Sequence, residues 1–383
     1  MNMQRKEMNV FSRREFLKAS GLSAGGLVIT VSIPTGLLAS VGSKGFEPSA
    51  FIHIAGNGDT TLYCGRCELG QGISTALPAA VADELEADWT RVNVLQGDAD
   101  SRYGPQDTGG SKSINRMLEP MRKAGAAGRE LLVAAAAQAW GLPAADCFAK
   151  NHAVYNKVDK RSFQYGDLVE LARELPVPEN PVLKSRDQFR YIGRPLQRHD
   201  QDEMVAGTRI YGADMKVPGI KYAAIRHVPV LGGSVKSVDK SKALAMPGVT
   251  DVVVIPRFNK AYGSLGGVAV VADNTWTAQR AVDALEIEFE AGENSSFNTA
   301  EYKQQLLRNV ESPAKLEFEK GSLDQAFKDA VKRHSATFET GFLSHSPIEP
   351  MSSLVWVQDD KCEIWASTQD PVGIQQTIGA FLG

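Results

Sequence analysis

The chain has 383 residues, enough for two or three domains of about 100–200 residues each. Its 42 basic and 45 acidic residues leave a net charge of −3, which argues against a nucleic-acid surface, and 43% hydrophobic content is ordinary for a soluble globular protein. Four cysteines are too few for a disulfide scaffold.

Ser12-Arg13-Arg14-Glu15-Phe16-Leu17-Lys18 precedes an apolar, Gly/Ala-rich run from Ala19 to about Leu38. This order reads as a twin-arginine export signal, so the chain is expected in the periplasm, meeting the membrane only through that signal. The alternative is an amphipathic helix opening on two exposed arginines. Pro34 interrupts the run, which is weakly hydrophobic and poorly suited to a permanent span. This export route carries folded proteins, as an enzyme that acquires a complex cofactor in the cytoplasm would need.

Four segments follow from the texture of the chain: signal and linker over 1–43, then 44–200, 201–295 and 296–383. Phe51–Ile54 and Thr60–Tyr63 read as strands around Gly56-Asn57-Gly58-Asp59, a strong hairpin signal. Next comes Gly65-Arg66-Cys67-Glu68-Leu69-Gly70-Gln71-Gly72. Apolar residues then recur at Ile73, Ala76, Leu77, Ala80, Val81 and Leu85 with helical spacing. A glycine-flanked glutamine therefore sits where a strand hands over to a helix. Free N–H groups at a helix start attract anions, and glycine permits close approach.

Val92–Leu95 is a further strand, and a polar loop over 97–106 ends in a second glycine constellation, Gln106-Asp107-Thr108-Gly109-Gly110-Ser111-Lys112-Ser113. A helix is expected beyond Pro120, from about Met121 to Trp140, closed by Gly141-Leu142-Pro143. Ala124–Gly128 lacks bulk, so a close neighbour is expected there. Short strands and a helix over Tyr165–Leu175 lead to a proline-marked connector. From Gly207 the expected order is strand (Tyr222–Ile225), helix (Ser241–Ala245), strand (Val249–Ile255), strand (Gly267–Val271), helix (Asn274–Ala284), strand (Leu285–Phe289). A helix around Tyr302–Val310, strands at Ala336–Thr340, Ser353–Val357 and Cys362–Ala366, and a helix from Val372 complete an α+β chain.

Two familiar phosphate motifs fail. Gly104 and Gly109 have P-loop separation, but Gly110 stands where lysine is needed. Gly70-Gln71-Gly72-Ile73-Ser74-Thr75 lacks the third glycine of a dinucleotide fingerprint. No two of the six histidines have helical ligand spacing, so no metal site is assigned. Cys64 and Cys67 form a lone C-x-x-C, read as packing cysteines rather than a redox or metal pair. Glu349, in Ser344–Met351, is the carboxylate with the most unusual neighbours, and the simpler reading is that it braces a proline turn.

Glu68–Leu77, Thr108–Ser113, Gly207–Glu290 and Ser344–Met351 together resemble the molybdopterin-binding large subunit of the xanthine oxidase-type molybdenum hydroxylases. In particular they resemble the isoquinoline 1-oxidoreductase beta subunit and its aldehyde-dehydrogenase relatives. The resemblance implies a hammerhead-like domain over 201–295 and molybdopterin-binding segments over 44–200 and 296–383. It also implies that Gly70, Gln71, Gly72 and Thr75 contact the pterin or phosphate part of the cofactor, with Gly109, Gly110, Ser111 and Ser113 lining it from another side. The cofactor in such enzymes is often extended as a cytosine dinucleotide. A small partner subunit with two [2Fe-2S] clusters takes the electrons. The reaction is hydroxylation of an aldehyde or N-heterocycle carbon with water-derived oxygen.

Such subunits are about twice as long as this chain. The glutamate base of the family is expected beyond Gly383, so no catalytic residue is assigned. The resemblance thus implies an N-terminal portion, inactive alone and completed by a further chain. The competing reading is a non-catalytic exported fragment that binds cofactor or partner.

Overall fold

The structure is a computed structural model that describes residues 27–31, 49–258, 263–312, 314–344 and 346–382. The twin-arginine motif Ser12–Lys18 and His345 lie outside the described residues. By its internal contacts the chain divides into two units, one formed by residues 1–215 and 344–383, the other by Lys216–Leu343.

The first unit opens with β1 (Leu27–Val31), β2 (Ser49–Ile54) and β3 (Thr60–Cys64), followed by helix α1 (Ile73–Leu85) and β4 (Val92–Gln96). The sheet order is β1-β2-β3-β4, with β3 and β4 parallel and the other pairs antiparallel. β1 thus draws part of the apolar N-terminal run into the sheet edge. Helix α2 runs from Ser113 to Trp140, then β5 (Cys147–Lys150), β6 (Ala153–Asn156) and β7 (Ser162–Gln164) make an antiparallel meander. Helices α3 (Tyr165–Arg173) and α4 (Gln201–Ala206) follow, separated by a connector whose only regular piece is the 3-10 turn Arg186–Gln188.

Helix α2 starts at Ser113 rather than near Met121, with Pro120 inside it. A proline there forfeits one backbone hydrogen bond and costs about 3 kcal/mol. Met117, ahead of Pro120, and Met121 are buried in the core, which offsets that cost. The consequence is functional: the second glycine loop opens directly onto a long helix.

Helices α1 and α2 pack without a spacer. A Cβ on Gly125 would collide with the Val81 carbonyl oxygen, which explains the small residues of Ala124–Gly128. Beside this contact, Asp83 and Glu84 of α1 are fully buried. Glu84 accepts from Arg122 Nε at 2.8 Å and Arg129 Nη1 at 3.1 Å. Asp83 Oδ2 accepts from the backbone N–H of Arg190, Tyr191 and Ile192 at 2.9–3.0 Å, and its Oδ1 pairs with Lys184 Nζ at 2.9 Å. The proline-rich connector is thereby fastened to the helix pair although it has almost no secondary structure.

The second unit contains β8 (Tyr222–His227), β9 (Ser234–Asp239), α5 (Ser241–Leu244), β10 (Val249–Ile255), β11 (Gly267–Ala272), α6 (Thr275–Asp283), β12 (Glu286–Glu290), α7 (Thr299–Glu311) and α8 (Leu323–Asp329). Strands β10-β11-β8 form one antiparallel sheet and β12-β9 a second. Two elements here, β9 and α8, were not foreseen. The strand expected at Ala336–Thr340 does not form: those residues are exposed and unpaired with any described strand. A strand without a neighbour leaves its backbone groups unmatched, so it gains nothing from extension. The chain then returns to the first unit with the hairpin β13 (Ser353–Val357) and β14 (Cys362–Ala366) and helix α9 (Pro371–Leu382). The fold is α+β, as expected.

His152 ties the hairpin to the rest of the first unit. Its Nδ1 accepts from the Asp88 N–H at 2.9 Å, so Nε2 carries the proton and donates to the Gly58 carbonyl at 2.7 Å. Burial lowers its pKa, outweighing the Gly58 bond, and the ring is neutral in the fold. The unfolded chain takes up a proton below its ordinary value of about 6.5 while the folded one does not. The contribution of His152 is therefore complete above that value and is lost as pH falls below it.

Chemical denaturation between pH 8 and 5 should show this loss, and His152→Asn should show a flatter decline; parallel curves would rule out the assignment. Glu84→Ala leaves Arg122 and Arg129 facing each other without their carboxylate and should cost about 3 kcal/mol in the same assay. A change below the scatter of the method would mean the clamp does not hold the fold.

Candidate functional site: two glycine loops side by side

The structure brings the two glycine loops together. Thr108 Oγ1 donates to the Cys67 carbonyl at 3.0 Å, and the Cys67 thiol points to the Gln106 carbonyl at 3.7 Å. Arg66, 1% exposed, reaches across with Nη1 to the Asp107 carbonyl and, at 3.4 Å, to its carboxylate. Arg116, from the first turns of α2, meets the same carboxylate at 3.4 Å. The Ser344–Met351 region joins the pair: a Cβ on Gly70 would come within 2.6 Å of Ile348 Cβ. Thr108 and Gln369 exchange hydrogen bonds at 2.8 and 2.6 Å. Three motifs that are far apart in the chain thus form one locality within the first unit.

The two loops differ electrostatically. In the first, the Glu68 carboxylate occupies the start of α1. It accepts from the N–H groups of Gly70 and Gly72 at 2.8 Å each, from Ser74 N at 2.9 Å and from Ser74 Oγ at 2.6 Å. Burial alone would raise its pKa, but these bonds and Arg198, 3.7 Å away, outweigh it and hold the carboxyl below its ordinary value. The Gly70, Gly72 and Ser74 N–H groups, among the donors that the sequence offered to an anion, are therefore already bonded, a correction to that expectation. Gln71 is exposed but its amide is folded back, accepting from Leu69 N at 2.6 Å and donating to the Cys67 carbonyl at 3.2 Å. Thr75 is buried and its hydroxyl accepts from the His199 N–H at 3.2 Å.

The second loop is open. Helix α2 has no side-chain cap, and its first turn carries no acidic residue. Its leading N–H groups thus lack the internal carboxylate that α1 has. Nothing lies within 4 Å of the position a Gly109 Cβ would take, and only the Lys112 side chain approaches that of Gly110. Gly110 and Ser111 both have left-handed backbone, φ 57° and 55°, which turns the chain sharply into the helix. Ser111 is exposed and Ser113 is buried at the first helical position. Arg66 Nε and Nη2 are buried with no hydrogen-bond partner among the described residues. Donors left unmatched on a buried guanidinium are costly and suit an acceptor supplied from outside the polypeptide.

Of the residues singled out from sequence, Gly70, Gln71, Gly72 and Thr75 lie in the first loop and its helix, and Gly109, Gly110, Ser111 and Ser113 in the second. Sequence reasoning missed Arg66, Glu68, Arg116 and Arg198. An acidic residue just ahead of an expected helix start was the available signal for Glu68. Glu349 is partly exposed in its proline turn. No group of three or more His, Cys, Asp or Glu among the described residues could hold a metal ion. A cavity of about 800 Å³ lies elsewhere, between Gly97–Ala99 and residues of β14 and α9, and none of the eight predicted site residues lines it.

Burial pushes the Cys64 and Cys67 thiols up to about 12, so neither is a thiolate at neutral pH. Both fill space and bond to carbonyls. Alkylation of the native chain at pH 8 should label Cys362, which is partly exposed, and spare Cys64 and Cys67 until the chain is unfolded. Rapid labelling of Cys67 would revive a redox role.

Residues 4–217 and 304–383 match two families described as molybdopterin cofactor-binding domain. Over 97% of its length the chain is 28% identical to the beta subunit of isoquinoline 1-oxidoreductase from Brevundimonas diminuta, covering 53% of that protein. It is 32% identical over 86% of its length to the membrane-bound aldehyde dehydrogenase [pyrroloquinoline-quinone] of Gluconacetobacter polyoxogenes, covering 43% of it. It is 25% identical over 94% to a nicotinate dehydrogenase subunit of Pseudomonas putida, covering 30% of it. The chain therefore spans about half the length, or less, of these relatives. Among solved structures, quinoline 2-oxidoreductase from Pseudomonas putida 86 aligns with a TM-score of 0.36 at 18% identity, over 49% of this chain and 28% of that one. With both glycine loops inside the first matched region and the second match beginning ahead of the segment that meets them, the chain belongs to the molybdopterin-binding subunits of the xanthine oxidase family.

Proposed function

We propose that this chain supplies the cofactor cradle of a molybdenum hydroxylase that oxidises an aldehyde or an N-heteroaromatic compound. The relatives are named for isoquinoline, aldehyde and nicotinate substrates. Because the chain covers about half of them or less, the proposed activity is that of the whole enzyme. The observation that carries the reading is the joined pair of glycine loops, in which Arg66 of the first reaches Asp107 of the second and keeps two donors unmatched, with α2 uncapped beyond that second loop.

The residues present fit an anionic cofactor at the second loop. Gly109 and Gly110 leave space, Ser111 offers a hydroxyl, and Arg66, Arg116 and the leading N–H groups of α2 supply positive potential. Gly70, Gln71 and Gly72 form a facing wall that Glu68 and Arg198 hold rigid. In this reading Thr75 and Ser113 brace the loops from within rather than touch the ligand. The bound group would supply the redox centre at which oxygen from water is transferred and electrons are collected. The polypeptide orients that group.

Its finer form as a cytosine dinucleotide, a small subunit with two [2Fe-2S] clusters as electron acceptor, and a separately encoded remainder complete the proposal. Export through the twin-arginine route to the periplasm fits Ser12–Lys18. No helix among the described residues is long and apolar enough to cross a membrane.

Arg66→Met separates fold from function. It removes a buried, half-matched charge, so the thermal midpoint should hold or rise. Pterin retained on the purified chain, assayed by fluorescence after oxidative release, should fall about ten-fold, the worth of one charge-assisted hydrogen bond. Equal pterin content in the variant and the parent would remove Arg66 from the cradle.

A further inference from the structure

We propose that Glu68 is a specificity-determining and positioning residue: its carboxylate is a built-in anion that shapes the Gly70-Gln71-Gly72 loop and bars a second anion from the start of α1. The inference rests on the reading that both loops hold molybdopterin, and adds which part of the cofactor each loop accepts.

The four bonds that Glu68 receives use the donors a phosphate would take at a helix start. Both carboxylate oxygens are engaged, Oε1 by two glycine N–H groups and Oε2 by the Ser74 N–H and hydroxyl. The carboxylate side chain is 14% exposed, so it lies at the loop wall and not in bulk solvent. Arg198 faces it at 3.7 Å and also donates to the Gly70 carbonyl at 3.2 Å, while Asp200 holds Arg198 with two bonds at 3.0 and 3.1 Å. His199 Nε2 lies 3.2 Å from Ser74 Oγ. Positive and negative groups are therefore matched on this side, leaving no unbalanced cation to draw in a phosphate.

The second loop has the opposite balance. Asp107 is shared by Arg66 and Arg116, Asp370 accepts from the Gly373 N–H at 2.9 Å, and Lys112 stands at the helix start, so three cations face two engaged carboxylates. Like charge repels at the first loop and unlike charge attracts at the second. The uncharged ring portion of the cofactor thus goes to Gly70–Gly72, and its phosphate portion to Gly109–Ser113. Glu68 acts on the ligand through the loop it shapes and through its charge.

The test uses the full chain, free of cofactor and labelled with ¹⁵N-glycine, titrated with inorganic pyrophosphate. In the parent chain the Gly109 and Gly110 amide signals should shift while Gly70 and Gly72 stay in place. In Glu68→Ala the Gly70 and Gly72 signals should shift as well, at pyrophosphate concentrations at least ten-fold below any that move them in the parent. Two results would overturn the proposal: shifts at Gly70 and Gly72 in the parent equal to those in the variant, or no shift there in a variant whose other glycine signals are native. If Gly70 and Gly72 respond only in the variant while Gly109 and Gly110 ignore pyrophosphate in both, the Glu68 assignment stands and the cofactor reading fails. Should Glu68→Ala not fold, acidification of the parent decides. The Gly70 and Gly72 signals should titrate together below the ordinary glutamate range, and a transition within or above that range would refute the internal anion.

Discussion

Two adjacent carboxylates buried at the end of α1 impose most of the order around the site. Asp83 and Glu84 are cut off from water, and a buried ion without donors is not tolerated. Their demand draws in Arg122 and Arg129 from α2 and Lys184 with three consecutive N–H groups from the connector. A proline-marked stretch with no helix or strand beyond one short turn is thus held along its length. That stretch ends at Arg198, His199 and Asp200, the residues that close the first glycine loop. The cradle and the clamp are consecutive parts of one polar chain of contacts.

The two glycine loops look equivalent as sequence and are opposite as electrostatics. Each opens a helix, and each offers glycines and hydroxyls. One helix start is filled by the protein's own glutamate; the other is left uncapped next to two arginines. Gly70 illustrates the same asymmetry. Its missing side chain makes room for Ile348 from a distant segment, whereas the space at Gly109 is open. A glycine-rich helix start is thus an anion site only where the fold leaves its donors unclaimed.

Local signals were legible in the sequence. The hairpin at Gly56–Asp59, α1 by its apolar spacing and the close approach at Gly125 all depend on residues near one another in the chain. The start of α2 was not, because Pro120 argued for a later beginning and tertiary burial of Met117 overrode it. Strand β9 was hidden for a different reason. Val235 and Val238 are three apart and break the alternation of a strand, yet a register shift opposite Glu288/Phe289 lets both pack on the core with Ile287. Arg66 and Glu68 lay in plain view inside the most informative segment. Nothing local said that one would be sealed against Asp107 from another loop, or that the other would bend back onto Ser74. The family resemblance pointed to the two glycine loops, while the contacts that join them and the bonds that fill one helix start became visible only in three dimensions.

The position of the cofactor's charged part distinguishes the two loops most directly. A crystal structure of the chain loaded with molybdopterin would show it. The predicted result places the phosphate against Gly109–Ser113 with a contact to Arg66 or Arg116, and the Glu68 carboxylate still bonded to Gly70, Gly72 and Ser74. A phosphate seated at the start of α1, with Glu68 displaced from those donors, would contradict it.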